Sequence, residues 1–285
     1  MQVSFPGLGL EFFVNPTAFK LGSISVQWYA VFIVLSFLIG TGYAMYRGKD
    51  YDLEMGDIFD VSLVGMMCAM VGARIYYVAF QWDYFKDDPV RIFTDFRNGG
   101  LAIYGGIIAA IIGGSIVAKI KKISIPALLD LAGMGLLFSH GLGRWGNFTN
   151  QEAFGTVTDL PWGMMSANTG NVPVHPCFLY ESLWCFLGFI IVHFLIRKII
   201  KYKGQVFIFY IMWYGFERMI VEGLRTDSLY LPFEIFGYAP RVSQVLSALL
   251  VIGGAIALIV FRKKNDFALP KKEQSQSEDD NNESV

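Results

Sequence analysis

Residues 139–155 follow an apolar segment and are rich in polar side chains and glycine, as expected for a candidate anion-binding site. Arg144 lies at or just inside the end of that segment, and a guanidinium at membrane depth is costly unless an anionic group meets it. Arginine offers a planar fork of donors that matches the oxygens of a phosphate group. The pattern therefore predicts a site for a bulky anionic ligand. The polar and glycine residues around Arg144 are His140, Gly141, Gly143, Gly146, Asn147, Asn150, Gln151, Glu152 and Gly155.

A second polar stripe lies in the segment 205–224 and just beyond it. Tyr214, Arg218, Glu222 and Arg225 fall at about 0°, 40°, 80° and 20° around a helix, so they share one face. Such a stripe must face the protein interior or a water-filled cavity rather than lipid. Glu222 can pair with either arginine, and two arginines against one glutamate predict an uncompensated cation. A buried ion-pair ladder that locks two helices together is the alternative interpretation.

Three further positions carry ionisable groups within apolar sequence. Arg74 can extend to the headgroup layer or join the polar site, and the sequence leaves both open. His140 precedes Arg144 by four residues and is either a packed histidine or a member of the site. Asn147 follows on the same face only if the helix continues that far. Glu181 is expected to need a cationic partner.

The composition is that of a membrane protein. The chain has 285 residues, of which 54% are hydrophobic and 16% charged, with a mean hydropathy of +0.46, whereas soluble domains carry about 25% charged residues. A membrane span needs about 20 mostly apolar residues. The sequence predicts an all-α polytopic membrane protein with about seven transmembrane helices and a short extracytoplasmic loop region between spans 4 and 5. The candidate spans are 25–46, 58–80, 101–120, 126–145, 177–197, 205–224 and 241–262.

Domain organisation and orientation follow from the distribution of charge. Residues 1–264 are expected to form a single integral-membrane catalytic domain, and 265–285, polar and without apolar periodicity, a disordered cytoplasmic tail. Most lysines and arginines lie in alternate connections and after the last span. The positive-inside rule then places the N-terminus outside and the C-terminus in the cytoplasm. The first 24 residues do not resemble a cleaved signal peptide and suit a segment on the membrane surface.

The cysteines indicate neither a metal site nor a disulfide framework. Cys68, Cys177 and Cys185 lie in or beside apolar segments without a CxxC pair, so small buried hydrophobic residues are the simplest interpretation. We expect no metal, no cofactor and no nucleic-acid partner.

The stretch GRWGNFTNQEAFG over residues 143–155 resembles the signature of the bacterial prolipoprotein diacylglyceryl transferases. The resemblance covers nearly the whole chain except the tail. Other segments match in the same order along the sequence: Trp28-Tyr29, Gly72-Ala73-Arg74, residues 99–106 (GGLAIYGG), His175-Pro176 with Leu179-Tyr180-Glu181, and Tyr214-Gly215 with Arg218, Glu222 and Arg225.

The resemblance implies a seven-span enzyme of the bacterial inner (cytoplasmic) membrane with an outward-facing site. Such enzymes move the diacylglyceryl group of phosphatidylglycerol to the thiol of the lipobox cysteine of a prolipoprotein and release glycerol 1-phosphate, the first step of lipoprotein maturation. The implied partners are phosphatidylglycerol, a prolipoprotein signal peptide and the lipid bilayer. The family's critical residues carry over to Arg144, Asn147, Gly155, Tyr29, Tyr214 and Arg218, with Glu152 and Glu222 in support.

One position departs from the family pattern. Many members have histidine in the glycine motif where this chain has Tyr104, so a general-base role for that histidine does not transfer directly. The base is His140, Tyr104 or no dedicated group. We expect Arg144 and Arg218 to bind the phosphodiester and stabilise its charge as it leaves, and Arg74 and Arg225 are further substrate-binding candidates.

The alternative function is a transporter or flippase for an anionic phospholipid. Such proteins carry inverted repeats and paired broken helices, and the sequence shows neither.

Overall fold

The computed structural model describes residues 1–22, 24–95, 100–196, 199–234 and 237–261, and helices dominate it. The predicted tail, 265–285, lies outside the described residues. Within them, seven long helices follow one another and are numbered here in chain order: α1 Trp28–Arg47, α2 Met55–Phe80, α3 Ile103–Ile120, α4 Ile125–Asn150, α5 Cys177–Ile191, α6 Gln205–Leu224 and α7 Val242–Phe261.

Six of these helices are long and apolar enough to cross a membrane. The exception is α6, which has 20 residues but carries Glu217, Arg218 and Glu222 within an otherwise apolar sequence. The multi-pass helical membrane fold predicted from hydropathy is therefore confirmed.

Helix α4 extends further than its hydropathy suggests. The predicted span ends at residue 145, whereas the helix continues to Asn150 and is terminated by Gln151 in the left-handed conformation, with φ of 54°. The continuation keeps His140, Arg144 and Asn147 on one helix and decides between the helix and the loop that the glycines left open. Pro126 near the helix start suits the first turn, where a backbone N–H has no helical partner.

The sequence did not predict the short strands, four of which precede the first helix. β1 Gln2–Phe5 pairs antiparallel with β2 Leu10–Phe13 and with β5 Met165–Ser166, and β3 Thr17–Leu21 pairs with β4 Ile24–Gln27. Residues 25–27 thus form strand rather than the start of span 1. Apolar runs of four or five residues fit a strand or a buried helical segment equally well, so periodicity alone does not identify them.

Helix α4 is central because it packs against α1, α5 and α6. Its contact with α1 uses small residues: Ser36 Oγ donates to the carbonyl of Ser139 (3.2 Å) and Ser139 Oγ donates to the carbonyl of Ser36 (2.7 Å). Gly40 and Gly135 meet one turn away, where a Cβ on Gly135 would lie 3.0 Å from Gly40 O. Small residues permit this close approach in lipid.

Helix α6 is fixed to its neighbours at two levels. The Asp130 carboxylate on α4 accepts hydrogen bonds from the backbone N–H groups of Gly204 (2.7 Å) and Phe207 (2.8 Å), which satisfies donors at the start of α6. Further along, Trp184 on α5 and Trp213 on α6 stack with ring centroids 4.3 Å apart. Each indole N–H donates to the other residue's carbonyl, at 3.0 and 2.9 Å. Helices α4, α5 and α6 therefore stand in a defined register.

Candidate functional site

Two arginines from different helices meet at one buried carboxylate. Arg144 Nε on α4 lies 2.9 Å from Glu181 Oε2, and Arg218 Nη1 on α6 lies 2.8 Å from Glu181 Oε1. Glu181, on α5, is only 1% exposed. The expectation that Glu181 needs a cationic partner is confirmed, because it serves two cations at once.

Arg218 has a second carboxylate partner on its own helix. Its Nη2 lies 2.6 Å from Glu222 Oε2, one turn further along α6. The guanidiniums remain partly accessible, since the Arg144 and Arg218 side chains are 20% and 16% exposed. Arg218 is thus held by two carboxylates while part of its side chain stays open to an incoming group.

The predicted excess cation is not observed, and the reason is tertiary. Arg225 forms a two-point pair with Asp227, from Nε to Oδ1 (2.8 Å) and from Nη2 to Oδ2 (2.6 Å). These hydrogen bonds hold the pKa of Asp227 below its ordinary value. Glu222 therefore pairs with Arg218 and not with Arg225. The sequence count was wrong because it omitted Glu181 from α5 and Asp227 from the following loop.

A chain of polar contacts leads from Arg144 to the protein surface. Arg144 Nη1 donates to Asn147 Oδ1 at 3.4 Å, and Asn147 Nδ2 donates to Glu152 Oε1 at 2.9 Å. Asn150 Nδ2 also donates to this oxygen, at 3.3 Å, and Glu152 is exposed. Glu152 therefore acts on Arg144 through Asn147 rather than by direct contact.

Tyr29 packs directly against the helix that carries Arg144. A Cβ on Gly146 would lie 2.6 Å from Tyr29 Cδ2, so the ring occupies the space that any larger residue at position 146 would need. Tyr29 is at the start of α1 and is 38% exposed. The glycine thus brings the ring beside the Arg144–Asn147 turn.

Gly155 marks a close junction of three segments. Its N–H donates to the carbonyl of His175 at 2.9 Å, and it forms an antiparallel bridge with Arg225. A Cβ at this position would lie 2.7 Å from His175 Cβ and 3.1 Å from Leu224 O. The junction ties the loop after α4 to the start of α5 and the end of α6.

Aromatic rings pack together beside the arginine cluster, between α4 and α6. The ring centroid of His140 is 5.0 Å from that of Tyr214 and 5.9 Å from that of Tyr210. His140 Nδ1 is 3.5 Å from the Tyr210 hydroxyl. His140 is therefore both packed among aromatic rings and adjacent to Tyr214 of the predicted stripe.

Two predicted site residues lie apart from these contacts. Arg74 on α2 donates to three carbonyl oxygens of the α2–α3 connection: Ile92 (2.9 Å), Arg91 (3.0 Å) and Gly100 (3.0 Å). Tyr104 is 49% exposed in the first turn of α3, and its hydroxyl bonds to no residue in the described part of the chain. Both assignments to the substrate site remain predictions.

One acidic residue of the cluster was not predicted from the sequence. Glu217 on α6 is 4% exposed and interacts electrostatically with Glu181, Arg144 and Arg218. It falls about 60° outside the stripe defined by Tyr214. A glutamate in an apolar helix was the available signal, but the helical periodicity assigned it to a different face.

These features define a multi-pass membrane protein with a buried guanidinium–carboxylate site that reaches the surface at Glu152. The family model for prolipoprotein diacylglyceryl transferase matches residues 16–260. The chain therefore belongs to this family of transferases, and the resemblance in the sequence is confirmed.

Curated relatives agree with the family match. The phosphatidylglycerol–prolipoprotein diacylglyceryl transferases of Clostridioides difficile (strain 630), Finegoldia magna and Enterococcus faecalis are 43%, 40% and 41% identical to this chain. Each match covers 88% of this chain and 92–97% of the relative.

Proposed function

We propose that this chain transfers the diacylglyceryl group of phosphatidylglycerol to the lipobox cysteine of prolipoproteins. The observation that supports it best is the convergence of Arg144 and Arg218 on Glu181, at 2.9 and 2.8 Å. Two guanidiniums fixed side by side, each partly exposed, suit the non-ester oxygens of one phosphodiester. The substrates named for the relatives supply that phosphodiester and the thiol.

The reaction is a displacement at the glycerol carbon that carries the phosphate ester. The substrate sulfur forms a bond to this carbon while the carbon–oxygen bond to phosphate breaks. The thiol proton is lost, and glycerol 1-phosphate leaves with the electron pair of the broken bond. The phosphate gains negative charge in this step, so Arg144 and Arg218 stabilise the transition state more than the ground state.

The remaining site residues position these groups. Asn147 and Tyr214 orient headgroup oxygens, and Tyr29 packs beside the lipid at the start of α1. Glu222 holds Arg218 directly. Glu152 holds Arg144 through Asn147. The bridge between Gly155 and Arg225 fixes the outer rim of the site. Arg74 stays a candidate lipid contact.

We infer that α6 also crosses the bilayer, which gives seven spans with the N-terminus outside and the C-terminus in the cytoplasm. Its 20 residues extend about 30 Å, and its polar side chains turn toward α4 and α5. The connections before α2 and before α4 carry Lys49, Lys121 and Lys122, and Arg47 ends α1, which favours the placement of these connections in the cytoplasm. Arg144 lies near the other end of α4, at the depth of the outer leaflet.

One assay tests the proposed activity. Purified full-length protein is incubated with phosphatidylglycerol and a lipobox peptide, and the thioether product is identified by mass. We expect product from the wild type and none from Arg144→Ala or Arg218→Ala in correctly inserted protein. Lys121→Ala removes a cation that pairs with Asp57 and Asp60 on α2 and should keep the activity. A wild type that makes no thioether refutes the transferase and leaves the lipid transporter.

Separate variants test which group accepts the thiol proton and whether the protein's own cysteines take part in the reaction. Tyr104→Phe and His140→Gln each remove one candidate base, and loss of thioether formation in only one identifies the base. A variant without Cys68, Cys177 and Cys185 should stay active, because the attacking thiol belongs to the peptide. Inactivity of this variant in a folded state contradicts that mechanism.

A further inference from the structure

Glu217 is a buried carboxyl group that the proposed mechanism does not use. It is 4% exposed, and neither Oε1 nor Oε2 has a hydrogen-bond partner among the residues that the structure describes. It precedes Arg218 directly on α6 and interacts electrostatically with Arg144 and Glu181. Buried polar groups in proteins are normally hydrogen-bonded, so such an exception requires an explanation.

The charges around Glu217 leave it without a cation of its own. Arg144 and Arg218 are the guanidiniums of the cluster, and they are ion-paired with Glu181 and Glu222. Two more arginines lie at the outer end of α6: Arg225 is paired with Asp227, and Arg241 donates to the backbone carbonyl of Glu222. A third buried carboxylate beside two compensated arginines is strongly unfavourable, and protonation relieves the cost.

We propose that Glu217 is a further substrate-binding residue whose uncharged carboxyl group donates a hydrogen bond to a phosphodiester oxygen of the lipid. The inference rests on the proposed function, because it needs the phosphate to lie between Arg144 and Arg218. A neutral carboxyl has one O–H donor, and a non-ester phosphate oxygen accepts it. An ionised Glu217 repels the same phosphate. The lipid therefore supplies the partner that Glu217 lacks within the described chain.

This assignment predicts that lipid binding weakens as Glu217 loses its proton. Other titratable groups face the same region, and their contribution must be separated. On α4 and α5 they are His140, Arg144, Glu181 and Cys185, and on α6 and directly after it they are Tyr210, Tyr214, Arg218 and Arg225. Helix α7, over Val242–Phe261, contributes no titratable side chain. Glu217→Gln leaves all these groups in place and keeps an N–H donor at position 217.

The experiment measures equilibrium binding of short-chain phosphatidylglycerol to purified full-length protein at pH 6 and pH 9. No peptide is present, so ionisation of a substrate thiol does not contribute. For the wild type we expect binding about tenfold weaker at pH 9 than at pH 6, and for Glu217→Gln the same affinity at both. Glu217→Ala should bind about tenfold more weakly than wild type at pH 6. Asp60→Asn, at the start of α2, removes a carboxylate elsewhere and should behave as wild type.

Two results overturn the proposal: equal wild-type affinity at both pH values, or a loss in Glu217→Gln as large as in Glu217→Ala. If Glu217→Ala does not fold, the comparison of wild type with the Gln variant decides alone. The thioether assay is independent of this one. Absence of thioether from a wild type that binds the lipid refutes the transferase, whereas thioether formation with pH-independent lipid binding refutes the role of Glu217.

Discussion

Arg144 and Arg218 are ion-paired with opposite oxygens of the same carboxylate, at 2.9 and 2.8 Å from Glu181. They come from α4 and α6, and the carboxylate between them comes from α5. Without this bridge, two buried cations would repel one another, and the helices carrying them would separate. The bridge therefore brings the guanidiniums together and leaves their remaining donors for a second anion.

Glu181→Gln should reduce thioether formation more than Glu222→Gln. The first variant removes the charge that serves two arginines, whereas the second removes the partner of Arg218 alone. Losing one member of a buried ion pair costs about 3–5 kcal/mol. We expect Glu181→Gln also to lower the midpoint of thermal unfolding, measured on the purified protein. Equal activity losses in the two variants would show that the Glu181 bridge contributes no more to activity than the Arg218–Glu222 pair.

Arg218→Lys should lower kcat/KM at least about tenfold, although the charge is retained. Arg218 uses Nη1 for Glu181 and Nη2 for Glu222, and a single ammonium group does not reproduce this fork. Kinetics at varied phosphatidylglycerol concentration measure the effect. The matched control is Lys121→Arg, because Lys121 is an exposed cation that pairs with two aspartates. Activity of Arg218→Lys within about twofold of wild type would exclude a geometric requirement for arginine.

Gly155→Ala should lower both thermal stability and activity. The added Cβ would lie 2.7 Å from His175 Cβ and 3.1 Å from Leu224 O, so backbone segments must separate to admit it. Gly143→Ala is the control, since a Cβ there meets nothing within 4 Å and alanine favours a helix. Thermal unfolding and thioether formation, measured together, test the pair. A Gly155→Ala protein as stable as Gly143→Ala contradicts the close packing.

The Arg225–Asp227 pair should stabilise the protein in a pH-dependent way. Because Arg225 holds the pKa of Asp227 below its ordinary value, the contribution is complete above about pH 4, the pKa of a free aspartate. It is lost as the pH falls through the lower pKa of the folded state. The difference in thermal midpoint between wild type and Asp227→Asn should therefore shrink from pH 7 toward pH 3. A constant difference would assign the effect of the substitution to another cause.

Periodicity and hydropathy predicted the elements that carry the site. The bounds of α6 agree with the predicted span 205–224, and the spacing of Tyr214, Arg218 and Glu222 placed them on one helix face. These are local properties, set by residues three or four positions apart. The continuation of α4 to Asn150 required the structure, since glycines at 143 and 146 permit a helix or a loop.

The ion-pair partners of the arginines could not be predicted from the sequence, for a different reason. The pairing of Arg144 with Glu181 joins residues 37 positions apart in sequence, and no spacing rule connects α4 with α5. Glu217 was overlooked because its position on the helix wheel separates it from Arg218, although both interact with Glu181. Arg74 was ambiguous for the same reason, since the carbonyls that it binds belong to the connection between α2 and α3, 17 to 26 residues further along the chain.

The reciprocal indole–carbonyl contacts of Trp184 and Trp213 limit how the site can respond when a lipid enters. Sliding α5 past α6 by one turn would break both hydrogen bonds together and pull the rings out of their stack. Glu181 lies one turn before Trp184, and Arg218 follows Trp213 by five residues, so the Glu181–Arg218 half of the cluster behaves as one block. Helix α4 is held in the same register, because Asp130 accepts hydrogen bonds from the start of α6. A headgroup must then be admitted by reorientation of the Arg144 and Arg218 side chains, without sliding of the helices that carry them.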